Sequence, residues 1–157
     1  MRRDYFSLEI EDVDWLDGEG DPVKPRVTID FDGPDSTLRS RLTGHDDVPL
    51  SGDETDAAFR LRTAIDDPDA EGVFSLTNRV TGEFVLEVNE DSETVMDFVR
   101  AARRYGESEP DDDSRYQIRV TIEDEEVVTY DKHTFLVYNE EGNLLRKHSL
   151  IPSGVEL

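Results

Sequence analysis

The chain has no cysteine, which excludes disulfides, thiolate metal sites and cysteine nucleophiles. It is almost as poor in lysine: Lys24, Lys132 and Lys147 stand alone, and every other basic residue apart from histidine is an arginine. Long apolar runs are missing too, since no stretch approaches the ~20 consecutive residues of a membrane helix. Arg2 and Arg3 could open a signal peptide, but DYFSLEIED puts no apolar run behind them. These absences point to the cytoplasm and away from a membrane. Hydrophobic residues make up 35% of the 157 against 36% charged, low for a globular chain yet patterned enough to fold as one domain over 1–157.

What the chain has in excess is acid. Asp and Glu number 39 against 17 Lys and Arg, a net charge of −22. In ordinary buffer such a surface repels itself and weakens the compact state. At molar salt the Debye length falls to ~3 Å and the repulsion is largely screened. The charge balance therefore points to a salt-filled cytoplasm. It also argues against binding a phosphate backbone, which would need Arg100, Arg103, Arg104 and Arg119 gathered on one face.

The opening MRRDYFSLEIEDVDW, together with the acidic, lysine-poor make-up, resembles small uncharacterised proteins of halophilic archaea. The resemblance implies a habitat and a soluble domain of unknown function. It implies no reaction and assigns no functional residue.

Period-two alternation dominates the chain. Phe6, Leu8 and Ile10 mark a first strand, and Val27, Ile29 and Phe31 a second. Phe59, Leu61, Thr63 and Ile65 mark a third. Phe74 and Leu76 with Phe84, Leu86 and Val88 read as a hairpin closed near Thr81-Gly82. Tyr116, Ile118, Val120 and Ile122 form another strand that turns at Asp124-Glu125. VVTYD, TFLVY and a last strand near Leu144 to Leu150 follow. A main helix is predicted over 92–105, where Val95, Phe98, Val99, Ala102 and Tyr105 share a stripe. Asp91 or Ser92 would cap it, Gly106 would end it, and Arg100, Arg103 and Arg104 would complement its C-terminal dipole. A shorter helix is predicted from Pro34 to Leu42. The class is α+β, a mainly antiparallel sheet packed on one main helix. A shift of 57 residues overlays Val27, Ile29 and Phe31 on Phe84, Leu86 and Val88, and Phe59, Leu61 and Ile65 on Tyr116, Ile118 and Ile122. This suggests ββαβ half-repeats at about 4–67 and 72–124 with a C-terminal β extension over 126–151.

Candidate chemistry is sparse. ESEPDDDSR places Asp111, Asp112 and Asp113 side by side, so they cannot converge on one ion, and the run reads as a solvated loop. TIDFDGPDS resembles the first motif of haloacid-dehalogenase-like phosphatases. That likeness would make Asp30 the nucleophile and Asp32 the proton donor to the leaving group, with magnesium bound. Pro34 departs from the family's threonine, and the polar alternation departs from its buried parallel strand. Among the histidines, His45 lies in a loop. A four-residue NEEG turn would set His133 opposite His148 with Asp131 alongside, a candidate metal set. A three-residue EEG turn with Gly142 left-handed would send the two histidines to opposite faces. Glycine-flanked nucleophile elbows and phosphate loops are absent. No catalytic residue, metal or cofactor is assigned. The reading that follows is a non-catalytic protein-binding or scaffold domain, its partner docking through the C-terminal strands TFLVY and NLLRKHSLI, with self-association as another outcome. The competing reading is a small-ligand or metal-binding protein, or a hydrolase using carboxylates with His133 and His148.

Overall fold

The alternating segments form eight strands, and these divide between two sheets where a single sheet was expected. The computed structural model describes residues 5–18, 20–33, 35–43 and 48–151. In chain order the elements are β1 (Phe6–Glu11), β2 (Arg26–Phe31), α1 (Asp35–Arg41), β3 (Thr55–Leu61), β4 (Glu71–Asn78) and β5 (Phe84–Asp91). They continue with α2 (Ser92–Ser108), β6 (Tyr116–Ile122), β7 (Glu125–Lys132) and β8 (Leu136–Tyr138). One sheet runs β1-β2-β6-β7 and the other β5-β4-β3-β8. Pairing is antiparallel except for β2 with β6 and β3 with β8. Each helix follows a hairpin and carries the chain across: α1 stands between β2 and β3, and α2 between β5 and β6. Alternation reports which residues face inward, not which sheet a strand joins, and this is why the split was not foreseen. The class is α+β.

The order strand, strand, helix, strand occurs twice, as β1-β2-α1-β3 and β4-β5-α2-β6. The pairings differ. β6 joins the first hairpin beside β2, in parallel, whereas β3 joins the second beside β4, antiparallel.

Both sheets feed one core. Val27, Ile29, Phe31, Ile118 and Val120 of the first meet Phe59, Leu61, Phe74 and Leu76 of the second in a single buried cluster. Its centre is aromatic. Phe98 of α2 sits edge-on to Tyr116 at 5.0 Å and to Phe135 at 5.4 Å, and Phe74 stacks on Phe135 at 5.6 Å. Tyr116, wholly buried, donates its hydroxyl proton to the Thr134 carbonyl at 2.6 Å, so burying the ring strands no polar atom.

α2 starts as predicted and ends later. Asp91 is the N-cap, accepting the Thr94 N–H at 2.8 Å, a bond that holds its carboxyl below the usual range. The helix passes through Gly106 to Ser108. Gly106 is buried under the Arg115 guanidinium, where a Cβ would collide, so its role is close approach rather than termination. Nor do the arginines mainly serve the helix dipole. Arg103 donates to the carbonyls of Lys147 (3.1 Å) and Ser149 (2.9 Å), and Arg104 to that of Leu16 (3.0 Å), fastening α2 to both ends of the chain.

One turn differs from expectation in register, and a second takes one of the two registers left open. β6 and β7 are joined by Glu123 and Asp124, with φ of 50° and 67°, one residue earlier than predicted. The carboxylate that holds this turn comes from another strand: Asp30 accepts the Asp124 N–H at 2.9 Å and the Thr121 hydroxyl at 2.5 Å. After β8, Gly142 is left-handed (φ 84°) and Tyr138 stands opposite Leu144, the three-residue alternative. A 3-10 turn over Arg146–His148 then interrupts the predicted last strand, and pairing resumes between Phe135 and Leu150. β3 is likewise displaced, starting at Thr55 and stopping at Leu61 short of Thr63 and Ile65.

Candidate functional site

The acidic loop is not uniform. Asp111 and Asp113 are exposed, but Asp112 is tied in on three sides. It accepts the Tyr105 hydroxyl at 2.6 Å and the Ser114 N–H at 2.9 Å, and it pairs with Lys24 at 2.8 Å. Lys24 also lies 5.6 Å from the Tyr105 ring centre. The Lys24 ammonium first, then Tyr105 and Ser114, hold the Asp112 carboxyl down to about 2, while the bond to that carboxylate pushes Tyr105 up to about 12. The loop is therefore a clasp built on one aspartate between two hydrated ones. Asp30, the nucleophile of the phosphatase likeness, is spent on the β6–β7 turn, and Asp32 is exposed with its backbone N–H on the Tyr5 carbonyl.

The C-terminal candidates are dispersed. Asp131 accepts Gln117 Nε2 at 3.0 Å across the β6–β7 ladder. His133 stands two residues on, its Nδ1 2.8 Å from Thr134 Oγ1. The 3-10 turn takes His148 out of the hairpin register, and it lines a different cleft, beside the N-terminus of α2. Among the described residues no three His, Asp or Glu side chains are placed to hold a metal. His45 lies outside the described residues. Lys132, between Asp131 and His133, is buried: its Nζ donates to the carbonyls of Gly52 (2.8 Å) and Thr55 (2.5 Å) and approaches Thr55 Oγ1 at 3.3 Å. Burial is the main influence on this ammonium and lowers its pKa. It fastens β7 to the start of β3, joining the two sheets.

The C-terminal strands were expected to recruit a partner by an exposed edge or an apolar strip, and the outer edge of β8 is covered by the chain itself. Leu145 N–H donates to the Val137 carbonyl at 2.8 Å, Val137 N–H to Ser149 Oγ at 2.9 Å, and Phe135 exchanges two bonds with Leu150. The face of the same sheet is open instead. Register puts Leu136, Ala58, Ser75 and Glu87 in one row across its outer surface, and Tyr138, Arg60, Val73 and Asn89 in the next. The small side chains in the middle leave a cleft of about 640 Å3, walled by Phe84 on one side and Tyr138 on the other. Arg62 is held to Asn89 Oδ1 at 2.9 Å, and Arg60 reaches the Glu140 carbonyl at 3.5 Å.

Phe84 is the residue that alternation misplaced. Counted with Leu86 and Val88 it should face the core, yet it is 52% exposed. A bulge explains this: Leu76 pairs with Leu86 but Thr77 pairs with Phe84, so Val85 is an extra, buried residue and Phe84 turns outward. The signal was the unbroken apolar run Phe84-Val85-Leu86, which an alternating strand does not contain.

These features define a two-sheet α+β domain whose one described face with exposed aromatic and small apolar side chains is also charge-balanced. The chain belongs to a family of unknown function (DUF5793), whose family model matches residues 1–157. No curated protein and no solved structure matches it. No helix among the described residues is long and apolar enough to cross a membrane.

Proposed function

We propose that this domain is a non-catalytic protein-binding or scaffold module of a high-salt cytoplasm, and that it takes an acidic protein partner on the outer face of β5-β4-β3-β8. The observation that carries the reading is the exposed Phe84 beside a cleft floored by Ala58, Val73 and Ser75. Exposed aromatics next to shallow pockets are the usual anchors of protein contacts. Charge supports the same place. Arg60 and Arg62 balance Glu87 and Glu140 there, whereas the cleft beside the N-terminus of α2 is lined by seven carboxylates and no Lys or Arg. Two polyanions can approach only where the local charge does not oppose them. Tyr138 keeps the C-terminal strands in the contact, but through their face rather than their edge.

The test is affinity capture at molar KCl with the wild type, Phe84→Asp and, as control, Val23→Asp, another exposed apolar residue. A stoichiometric partner held by the wild type and the control but lost with Phe84→Asp supports the reading. The same partner held equally by all three sinks it.

A further inference from the structure

The outer face of β5-β4-β3-β8 carries both a knob and the hollow that would receive it. Alternation turns Ala57, Phe59 and Leu61 of β3 inward and leaves Asp56, Ala58 and Arg60 outward. On β4 the outward set is Glu71, Val73, Ser75 and Thr77. The register sets Ala58 beside Ser75 and Arg60 beside Val73, so the centre of the face is low. Just past β3, Arg62 donates its N–H to the Glu71 carbonyl at 2.9 Å and extends the same rows. The large apolar groups stand on the outer strands: Phe84 begins β5, and Leu136 and Tyr138 belong to β8.

A two-fold axis running along the strands between β4 and β3 exchanges β5 with β8 and β4 with β3. Residues of one row then meet across the axis, each contact made twice. Phe84 of each copy comes down on the β8 side of the other, toward Leu136. Ala58 meets Ser75 at the axis, where small side chains let two sheets close to about 10 Å. Arg62 comes over Glu71, base against acid. The perpendicular axis, across the strands, would instead carry Phe84 toward Asp91 at the far end of β5, an aromatic ring against a carboxylate. One surface thus supplies the knob, the hollow and both signs of charge, which is what an isologous contact requires.

We propose that the occupant of this face is a second copy of the chain, packed sheet to sheet about that axis, an inference that rests on the binding-module reading above. The extent of the face sets the strength of the contact. Four strands about 4.8 Å apart and up to 8 residues long, at ~3.4 Å per residue, cover at most roughly 500 Å2. Standard complexes bury about 800 Å2 per partner. The pairing is therefore weak and reversible, with a dissociation constant on the order of 10 to 100 µM. Molar salt, which screens charge beyond ~3 Å, removes most of the repulsion between two acidic copies.

Sedimentation velocity of the full chain in molar KCl, from about 1 µM to about 1 mM, should show a monomer passing into a dimer. Phe84→Asp should weaken that dimer at least about tenfold, and Val23→Asp should not. Ser75→Lys puts a bulky charge at the axis and should weaken it as much, so it decides if Phe84→Asp does not fold. The chain has no cysteine, so a single Ser75→Cys can be joined only through that position. A short bis-maleimide should link two copies there and should not link Ser7→Cys, exposed on the other sheet. A wild type still monomeric at about 1 mM would overturn the self-pairing, while loss of a captured partner with Phe84→Asp would still uphold the binding-module reading. A dimer untouched by either substitution, or linked as readily through Ser7→Cys, would place the contact elsewhere and overturn the inference.

Discussion

Neutralising one aspartate of Asp111, Asp112 and Asp113 should have the opposite consequence from neutralising either of its neighbours. In a chain of net charge −22, removing a surface carboxylate relieves repulsion. Asp111→Asn and Asp113→Asn should thus be neutral to slightly stabilising, within about 0.5 kcal/mol. Asp112→Asn should destabilise. Its carboxyl is held from 3.8 down to about 2, nominally about 2 kcal/mol of linkage. The side chain is 31% exposed, and solvent screening brings the expectation to about 1 kcal/mol. The sign follows from the depressed pKa: the contribution is present above 3.8 and is lost as the pH falls toward about 2. Urea unfolding of the three variants and the wild type, run at neutral pH and at steps through that window, measures it. The Asp112→Asn deficit should shrink with acid while the other two differences stay small. A variant at Asp112 as stable as those at Asp111 and Asp113 would show that the clasp to Lys24 and Tyr105 contributes nothing.

The remaining predictions concern the buried lysine, the strained turn and the tyrosines. Lys132→Met removes two charge-assisted bonds to backbone carbonyls and also the cost of burying an ammonium, so a net loss of about 2 kcal/mol is expected. Lys132→Ala should lose more, because it also opens a cavity, and chemical unfolding of the pair separates the two terms. Replacing Glu123-Asp124 by Asn-Gly, which favours positive φ at both positions, should stabilise by about 1 kcal/mol in the same assay. Tyr116 and Tyr130 are raised mainly by burial, Tyr130 to about 12, and Tyr105 to about 12 by its bond to Asp112. Their contribution is full below the ordinary value of 10.0 and is lost as the pH climbs from there toward about 12. In a Tyr5→Phe, Tyr138→Phe variant, which keeps only these three tyrosines, phenolate absorbance should therefore appear together with unfolding, and phenolate formed while the fold persists would contradict this.

Local features were legible wherever one residue type forces one conformation. The stripe from Val95 to Ala102, the Asp91 cap and the Gly82 turn all follow from side-chain period or backbone freedom. β3 was displaced because its inward Ala57 carries little hydrophobic signal, while Thr63 and Ile65 continue the parity past the point where pairing stops at Leu61. The division into two sheets was not legible, because inward-facing positions look alike whichever sheet receives them. The site was hidden for a related reason. One bulged residue, Val85, decides whether Phe84 is core or surface. The pairings of Asp112 with Lys24, of Asp30 with Thr121 and Asp124, and of Lys132 with Gly52 and Thr55 span 77 to 94 positions along the chain, beyond what a local pattern encodes.

The placement of the cations leads to a last prediction. Lys132 points inward to carbonyls, Arg103 and Arg104 fasten α2 to backbone oxygens, and Lys24 is held in the clasp. Lys132, Arg103 and Arg104 hold elements together rather than neutralise the acidic surface, where Lys24–Asp112, Arg79–Asp56, Arg100–Asp97 and Arg119–Glu126 form direct pairs. Repulsion among the remaining carboxylates must then be screened from outside. The Debye length falls from ~10 Å at 0.1 M to ~3 Å at 1 M salt, so most of that relief should arrive within this range. A thermal melt followed against KCl should rise steeply and then flatten near molar salt. If burial strengthened by excluded ions were responsible instead, the rise would continue beyond that point and sulfate would outperform chloride at equal ionic strength. A melting temperature unchanged between low and molar salt would mean that the surplus of carboxylates exerts no net strain on the fold.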